Sequence, residues 1–433
     1  MAKRLFENTC GGLKTILLIL GLNPGIAVNN CFVPSSLLCL FTVALHCFSL
    51  TVTVYLASQI ISGVFTLTST IVILIISFLS QILISQLYLV CRVSSLEFLK
   101  GKLHQLELSC QKGKSFSRKV NLRVYSGVVL SLLYAFDLVL LAYCLSKVSR
   151  HVPSMCLPCI MENLIPKPGA YCATFTRLFS EILMLPQLIF LSVGFFAASS
   201  YLQLAFEDFT GRFVSQATFR SNLLQMGVVP AALKVIGANF AGSQLMSTEL
   251  LKSTWKEYRN LIAHVRTLNS IYSPLLGVSL VFGIIQICLT IFSFTSWNDR
   301  QFNAAIAVVP MLGFVNNWHV SVQLVAVIFI MANYVLSAIK LNEKSRAIRQ
   351  LLYGVELEDS MQGTVTFNQF LSITDDRNWG MTIGGIVLAE RTAVLTIVSL
   401  AFSLFIMWLR FSLNNKNTFE STDNLSNSTV LSF

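Results

Sequence analysis

Apolar residues gather in seven stretches, near 37–57, 67–90, 124–146, 178–205, 274–294, 317–339 and 392–411. Each is close to the roughly 20 residues that cover a hydrocarbon core of about 30 Å. The pattern predicts an all-α integral membrane protein with seven transmembrane helices, one membrane domain over 1–411 and a polar tail over 412–433. An odd number of crossings puts the two ends on opposite sides.

The connecting segments orient the chain, because basic loops are retained on the cytoplasmic side. Lys3, Arg4 and Lys14 precede the first span, and the second loop carries a run from Arg92 through Lys100, Lys102, Lys112, Lys114, Arg118 and Lys119 to Arg123. The fourth loop is also basic, from Arg212 to Arg266, as is the segment from Lys340 to Arg391. The intervening loops are poorer: the first has no Lys or Arg and the fifth only Arg300. The expected arrangement is a cytoplasmic N-terminus and an extracellular C-terminus. The sequons at Asn424 and Asn427, both in the tail, agree as candidate N-glycosylation sites.

Helical spacing continues beyond several spans. Leu250, Leu251, Trp255, Tyr258, Leu261, Ile262 and Val265 share one face of a helix expected to carry the fifth span into the cytoplasm, and 92–110 has a similar leucine pattern. Residues 304–316 read as a re-entrant or packed extracellular segment before the sixth span, because two crossings do not fit in 304–339. Residues 223–246 are mildly apolar, but a crossing there would put Lys340–Arg349 outside. Glu390 and Arg391 belong at the cytoplasmic interface, since a mid-membrane charge costs roughly 2.5–3.5 kcal/mol. The apolar piece 381–389 then lies in the cytoplasm, where it is expected to be a helix covered by a partner subunit.

Composition narrows the function classes. With 54% apolar and 12% charged residues and a mean hydropathy of +0.69, the chain falls far from soluble proteins, which average about 25% charged. A net charge of +11 does not point to nucleic acid, because the basic residues flank spans on one face, where anionic leaflet lipid is the natural partner. A multi-pass protein of the plasma membrane is expected. Cys156, Cys159 and Cys172 share the third loop, in an oxidising setting, and one disulfide from Cys172 to Cys156 or Cys159 is expected. The five histidines show no metal-ligand spacing, and no phosphate-binding loop or nucleophile elbow occurs, so neither an enzyme nor a cofactor or metal is expected.

Asp137 stands in the middle of the third span beside Tyr134 and Phe136, and intramembrane carboxylates face a cavity or a partner helix. Glu181, with Pro186 nearby suggesting a kink, and Trp318 with His319 reach a comparable depth. Tyr134, Phe136, Asp137, Glu181 and Trp318 are therefore candidate linings for a small organic ligand. A G-protein-coupled receptor also has seven spans, yet it would need the opposite orientation. A secondary transporter would show paired halves with broken helices, and none is visible.

The segment 365–411 resembles the C-terminal signature of the arthropod gustatory receptor family, within the insect chemoreceptor superfamily. Gly385, Glu390, Arg391 and Thr392 match its first part, and Ser403-Leu404, the apolar run 405–409 and Arg410-Phe411 have the spacing of its closing motif. Ile19-Leu-Gly-Leu-Asn-Pro24 and Leu268-Asn-Ser-Ile-Tyr-Ser-Pro-Leu-Leu276 are similar to the family as well. The chain departs from it at Leu404, where the family has tyrosine, and at Arg410, where it has glutamine. The resemblance implies a ligand-gated, non-selective cation channel opened by a tastant or other small organic molecule. It implies four identical or related subunits around a pore lined by the seventh helix. Ser403, Met407, Arg410 and Phe411 are the implied pore and gate residues, and Gly385, Glu390 and Arg391 the implied cytoplasmic interface. Four copies of Arg410 would repel permeant cations, unless the side chain snorkels to the outer interface instead.

Overall fold

The computed structural model describes Leu13, residues 15–17, Leu20 and Leu22, and then 32–60, 67–92, Leu99, Leu103, 110–148, 167–216, 247–295, 311–353, 361–376, 379–407 and Arg410. The apolar stretches become helices α1 (Phe32–Ile60), α2 (Leu67–Cys91), α3 (Cys110–Val148), α4 (Lys167–Gln216), α5 (Thr248–Thr295) and α6 (Met311–Met331). A π-helical turn, Ala332–Leu336, continues α6 into α7 (Ser337–Arg346) and α8 (Ile348–Leu352). Then come α9 (Met361–Asp375), strands β1 (Thr382–Ile383) and β2 (Val387–Leu388), and α10 (Arg391–Met407). Among the described residues six helical segments are long and apolar enough to cross a membrane, whereas α10 is a shorter apolar helix.

Several helices outrun the bilayer. The 50 residues of α4 and 48 of α5 make rods of about 75 and 72 Å at 1.5 Å per residue, more than twice the hydrocarbon thickness. The extension expected at the start of the fifth span is present in α5, with Leu251, Tyr258, Leu261, Ile262 and Val265 buried and Leu250 and Trp255 packed beside them. α3 likewise begins at Cys110, so Lys112 to Arg123 are helical rather than loop. Residues 223–246 lie outside the described residues, as do most of 92–110, although Leu99 and Leu103 are buried in the core.

α4 is the hub of the bundle, packing against α1, α2, α3, α5, α6 and α7. A helix contacted on most sides must be largely apolar, and its run from Met184 to Phe206 supplies that surface. α5 passes unbroken through Pro274, whose missing N–H leaves the Ser270 carbonyl without its helical donor. The Tyr88 hydroxyl on α2 donates to that carbonyl at 3.0 Å and so ties the two helices at this point.

Two sequence expectations change here. The segment from Met311 to Asn316 is not re-entrant; it is the first turn and a half of α6, and Asn316, which suggested a break, is a buried residue of that helix. The piece 381–389 is not a helix awaiting a partner. It forms a hairpin with Thr382 opposite Leu388 and Ile383 opposite Val387, turned at Gly384 (φ +63°) and Gly385 (φ +78°). Two consecutive positive φ angles favour glycine and exclude a helix. Met381 and Ala389 are fully buried by their own chain, while Ile386 at the tip is 88% exposed.

The hairpin docks on α5 just beside Pro274. Gly384 N–H donates to the Ser273 carbonyl (3.0 Å), Gly385 N–H to Ser273 Oγ (2.6 Å) and Thr382 N–H to Asn269 Oδ1 (2.7 Å). This close approach needs Gly277, because a Cβ there would sit 2.9 Å from Gly384 Cα and 3.0 Å from its nitrogen. Backbone cannot yield as a side-chain tip does. Gly277→Ala is therefore expected to cost about 1–3 kcal/mol by overpacking. Gly283→Ala, where the clash is with the flexible Met331 thioether, should cost less. Thermal unfolding of the two detergent-purified variants compares them, and equal midpoints would contradict the docking geometry.

Candidate functional site

A polar cluster lies where α3 and α6 cross within the membrane part. Asp137 is fully buried on α3, and His319 and Gln323, one turn apart on α6, are buried against it. His319 Nδ1 meets Asp137 Oδ2 in a short contact, and the Gln323 amide nitrogen lies 2.9 Å from His319 Nε2. With the amide donating, Nε2 is the acceptor and the ring proton sits on Nδ1, facing the carboxyl group. Rotating the amide by 180° would instead present its oxygen to Nε2. Tyr134, one turn before Asp137, stacks on the His319 ring with centroids 6.1 Å apart.

Neighbouring helices add further polar groups. Arg177 Nε and Glu181 Oε1 form an ion pair of 2.8 Å within α4, both buried. Glu181 and Asp137 both lie within electrostatic range of Tyr134. On α4, Ser180, next to Glu181, and Gln187, about two turns further on, hold His46 of α1 through contacts of 2.7 and 2.6 Å to its two ring nitrogens. The Gln187 amide also donates to the Leu20 carbonyl at 2.6 Å, which ties Leu20 to α4. Asp137 Oδ1, Arg177 Nη1 and Asn316 Nδ2 are buried with no hydrogen-bond partner among the described residues. Unpaired polar atoms are costly in such surroundings, so this assembly offers acceptors and donors that a polar ligand or water would satisfy.

The sequence candidates divide. Tyr134 and Asp137 meet in the cluster, and Glu181 stands beside it, neutralised by Arg177. Phe136 does not join them: it is 60% exposed on the outer face, since a helix turns about 100° per residue and 134 and 137 share the inner side. Trp318, 41% exposed, is turned away for the same reason while His319 points inward. Arg177, just before the expected start of the fourth span, lies within α4. Gln323 gave no signal, because a lone amide in a span is not diagnostic without its partner. An open cleft of about 790 Å3 lies far from this cluster, between α5 and α9, lined by Trp255, Arg259, Asn368, Gln369 and Asp376.

At the other candidate positions, Gly385 takes part in the hairpin joint, Glu390 pairs with Arg346 at 3.4 Å and Arg391 binds both oxygens of Glu343 at 2.6 and 3.0 Å. All are contacts within one chain. Ser403 donates to the Ser399 carbonyl, and Met407 and Arg410 are exposed along the last helix. Phe411, Cys156, Cys159, Asn424 and Asn427 lie outside the described residues, as does the side chain of Cys172.

No family model matches the sequence, and no curated protein matches it. Solved structures do. The insect olfactory receptor OR5 from Machilis hrabei superposes with a TM-score of 0.61 at 11% sequence identity, covering 95% of this chain and 100% of that one. The same receptor in complex with eugenol gives a TM-score of 0.59 at 10% identity, covering 94% of this chain and 99% of that one. The chain thus has the fold of an insect olfactory receptor along nearly its whole length.

Proposed function

We propose that the protein is a chemosensory receptor of the insect chemoreceptor superfamily, of gustatory type, that acts as a ligand-gated cation channel. The observation that carries this reading is the agreement of fold, over 95% of the chain, with an olfactory receptor that takes up a small aromatic molecule. α10 completes the seventh crossing and lines a pore shared by four subunits. In support, Leu395, Leu400, Leu404, Ile406 and Met407 leave an apolar surface on α10 that its own chain does not cover. The ligand, a small organic molecule, binds among α2, α3, α4 and α6, with Tyr134, Asp137 and His319 as its polar wall. The joint between the hairpin and α5 carries the change to α10.

The test is expression with a C-terminal tag in cells under voltage clamp, followed by a panel of small organic tastants. Antibody is expected to reach the tag on intact cells, and at least one compound is expected to evoke an inward current abolished by the double variant Asp137→Leu/His319→Leu at unchanged surface level. Labelling only after permeabilisation, with surface delivery shown separately, would overturn the topology. The reversal potential of the current reports what Arg410 does: a shift toward chloride places its charge in the pore.

A further inference from the structure

We propose that α3 carries a binding site for an anionic phospholipid of the cytoplasmic leaflet, with Arg118, Lys119 and Arg123 gripping the headgroup and Leu122, Tyr125 and Val129 receiving an acyl chain. Gly113, Phe116 and Val120 turn one side of α3 into the core, with Phe116 edge-on to Tyr201 of α4 at 5.3 Å. The opposite side is then fixed by helical spacing. It begins with Lys114, Arg118 and Lys119, all exposed, and continues with Leu122, Tyr125 and Val129, which are large apolar residues left uncovered. Charge gives way to apolar surface at about 123, where the third hydrocarbon crossing begins, so the stripe matches a phospholipid in both polarity and height.

Arg123 marks the headgroup position. It is half-buried between three helices, with its guanidinium 5.2 Å from the ring centroid of Phe196 on α4 and 5.6 Å from that of Phe329 on α6. Aromatic faces hold the cation in place but do not neutralise it. No carboxylate pairs with Lys114, Arg118, Lys119 or Arg123 among the described residues, and α3 has no acidic residue before Asp137. The acids that α4 brings to this end are already engaged, Glu207 with Lys344 and Asp208 with Arg212. Four cations within ten residues, with no counter-charge among the described residues, constitute a site for phosphate. Basic clefts between helices at the cytoplasmic side are where anionic headgroups are held.

The proposal rests on the cytoplasmic placement of this end of α3, but its test needs neither a current nor a known tastant. Full-length protein in detergent is titrated with phosphatidylserine or with phosphatidylcholine of the same acyl chains, and bound lipid is counted by native mass spectrometry. Phosphatidylserine is expected to bind more tightly, with an affinity that falls as salt rises. The triple variant R118Q/K119Q/R123Q is expected to weaken it by roughly tenfold or more, given the contribution of each basic residue near a membrane surface. Neutralising three exposed cations of α5, Lys252, Lys256 and Arg266, is expected to leave binding unchanged. Arg123→Lys, which keeps the charge, guards against a folding defect and should retain most of the affinity. Equal binding of the two lipids, or equal loss in both triple variants, would overturn the site. A protein that binds phosphatidylserine but shows its C-terminal tag inside would keep the site and refute only the orientation.

Discussion

His319→Leu is expected to destabilise the protein by about 3–5 kcal/mol, the usual consequence of leaving one member of a buried ionisable pair alone. Among the described residues Asp137 has no other partner to fall back on. Its Oδ2 meets only His319, its Oδ1 meets nothing among the described residues, and its side chain is wholly shielded from solvent. Leucine fills much of the imidazole volume, so the loss reports the abandoned carboxyl group rather than a cavity. The double variant His319→Leu/Asp137→Leu removes both polar groups and should regain most of the stability, because paired charges can often be replaced together at little cost. Thermal unfolding of detergent-purified variants, followed by tryptophan fluorescence, provides the measurement. A double variant no more stable than the single one would show that Asp137 is satisfied by something other than His319. If the cluster also forms the wall of the ligand site, the double variant will be well folded yet unresponsive, which separates its two roles.

The parts of this architecture legible in the sequence are those that depend on local periodicity. Six long apolar helices, the extension of α5 beyond its span and the buried side of that extension follow from spacing, because a residue's face on a helix is set by its number alone. Pairings between helices are not local. Asp137 and His319 are 182 positions apart, and neither residue specifies the other, so the sequence offered Asp137 with three aromatic candidates, Tyr134, Phe136 and Trp318, of which two face outward. The hairpin failed for a related reason. The apolar run 381–389 reads as helix by hydropathy, and only the adjacent Gly384 and Gly385 signal a reversal.

Long-range contact does, however, connect the stretches that resembled a chemoreceptor family. Asn269 and Ser273, from 268–276, hydrogen-bond with Thr382, Gly384 and Gly385 at the head of the C-terminal signature. From the third stretch, Leu20 touches α4 through its carbonyl. Motifs that are weak as strings gain meaning here because two of them are the opposite faces of one joint.

Asn342→Ala is expected to undo that joint from its other side, at a cost of about 3 kcal/mol or more. The side chain lies on α7, is buried, and uses every polar atom on the hairpin: its amide nitrogen donates to the carbonyls of Met381 and Ala389, both at 2.9 Å, and its oxygen accepts from Met381 N–H at 2.7 Å. After truncation the Met381 carbonyl keeps its bond from Ala389 N–H, but the Met381 N–H and the Ala389 carbonyl lose their partners in a buried place. Each such group costs roughly 1–3 kcal/mol. Asn342→Asp keeps the acceptor but turns a carboxylate oxygen onto the two carbonyls that the amide donated to, so its cost in unfolding experiments should be at least that of alanine. The consequence for signalling is larger than the loss of stability. The hairpin leads through Glu390, whose carbonyl accepts from Val394 N–H, directly into α10, and Arg346 on α7 grips both Glu390 and the Trp379 carbonyl just before β1. Releasing the hairpin frees the base of α10 from α5 and α7 together. In the channel reading, ligand-evoked current should therefore fall further than the surface level of the protein, and a current that merely tracks surface level would separate the joint from gating.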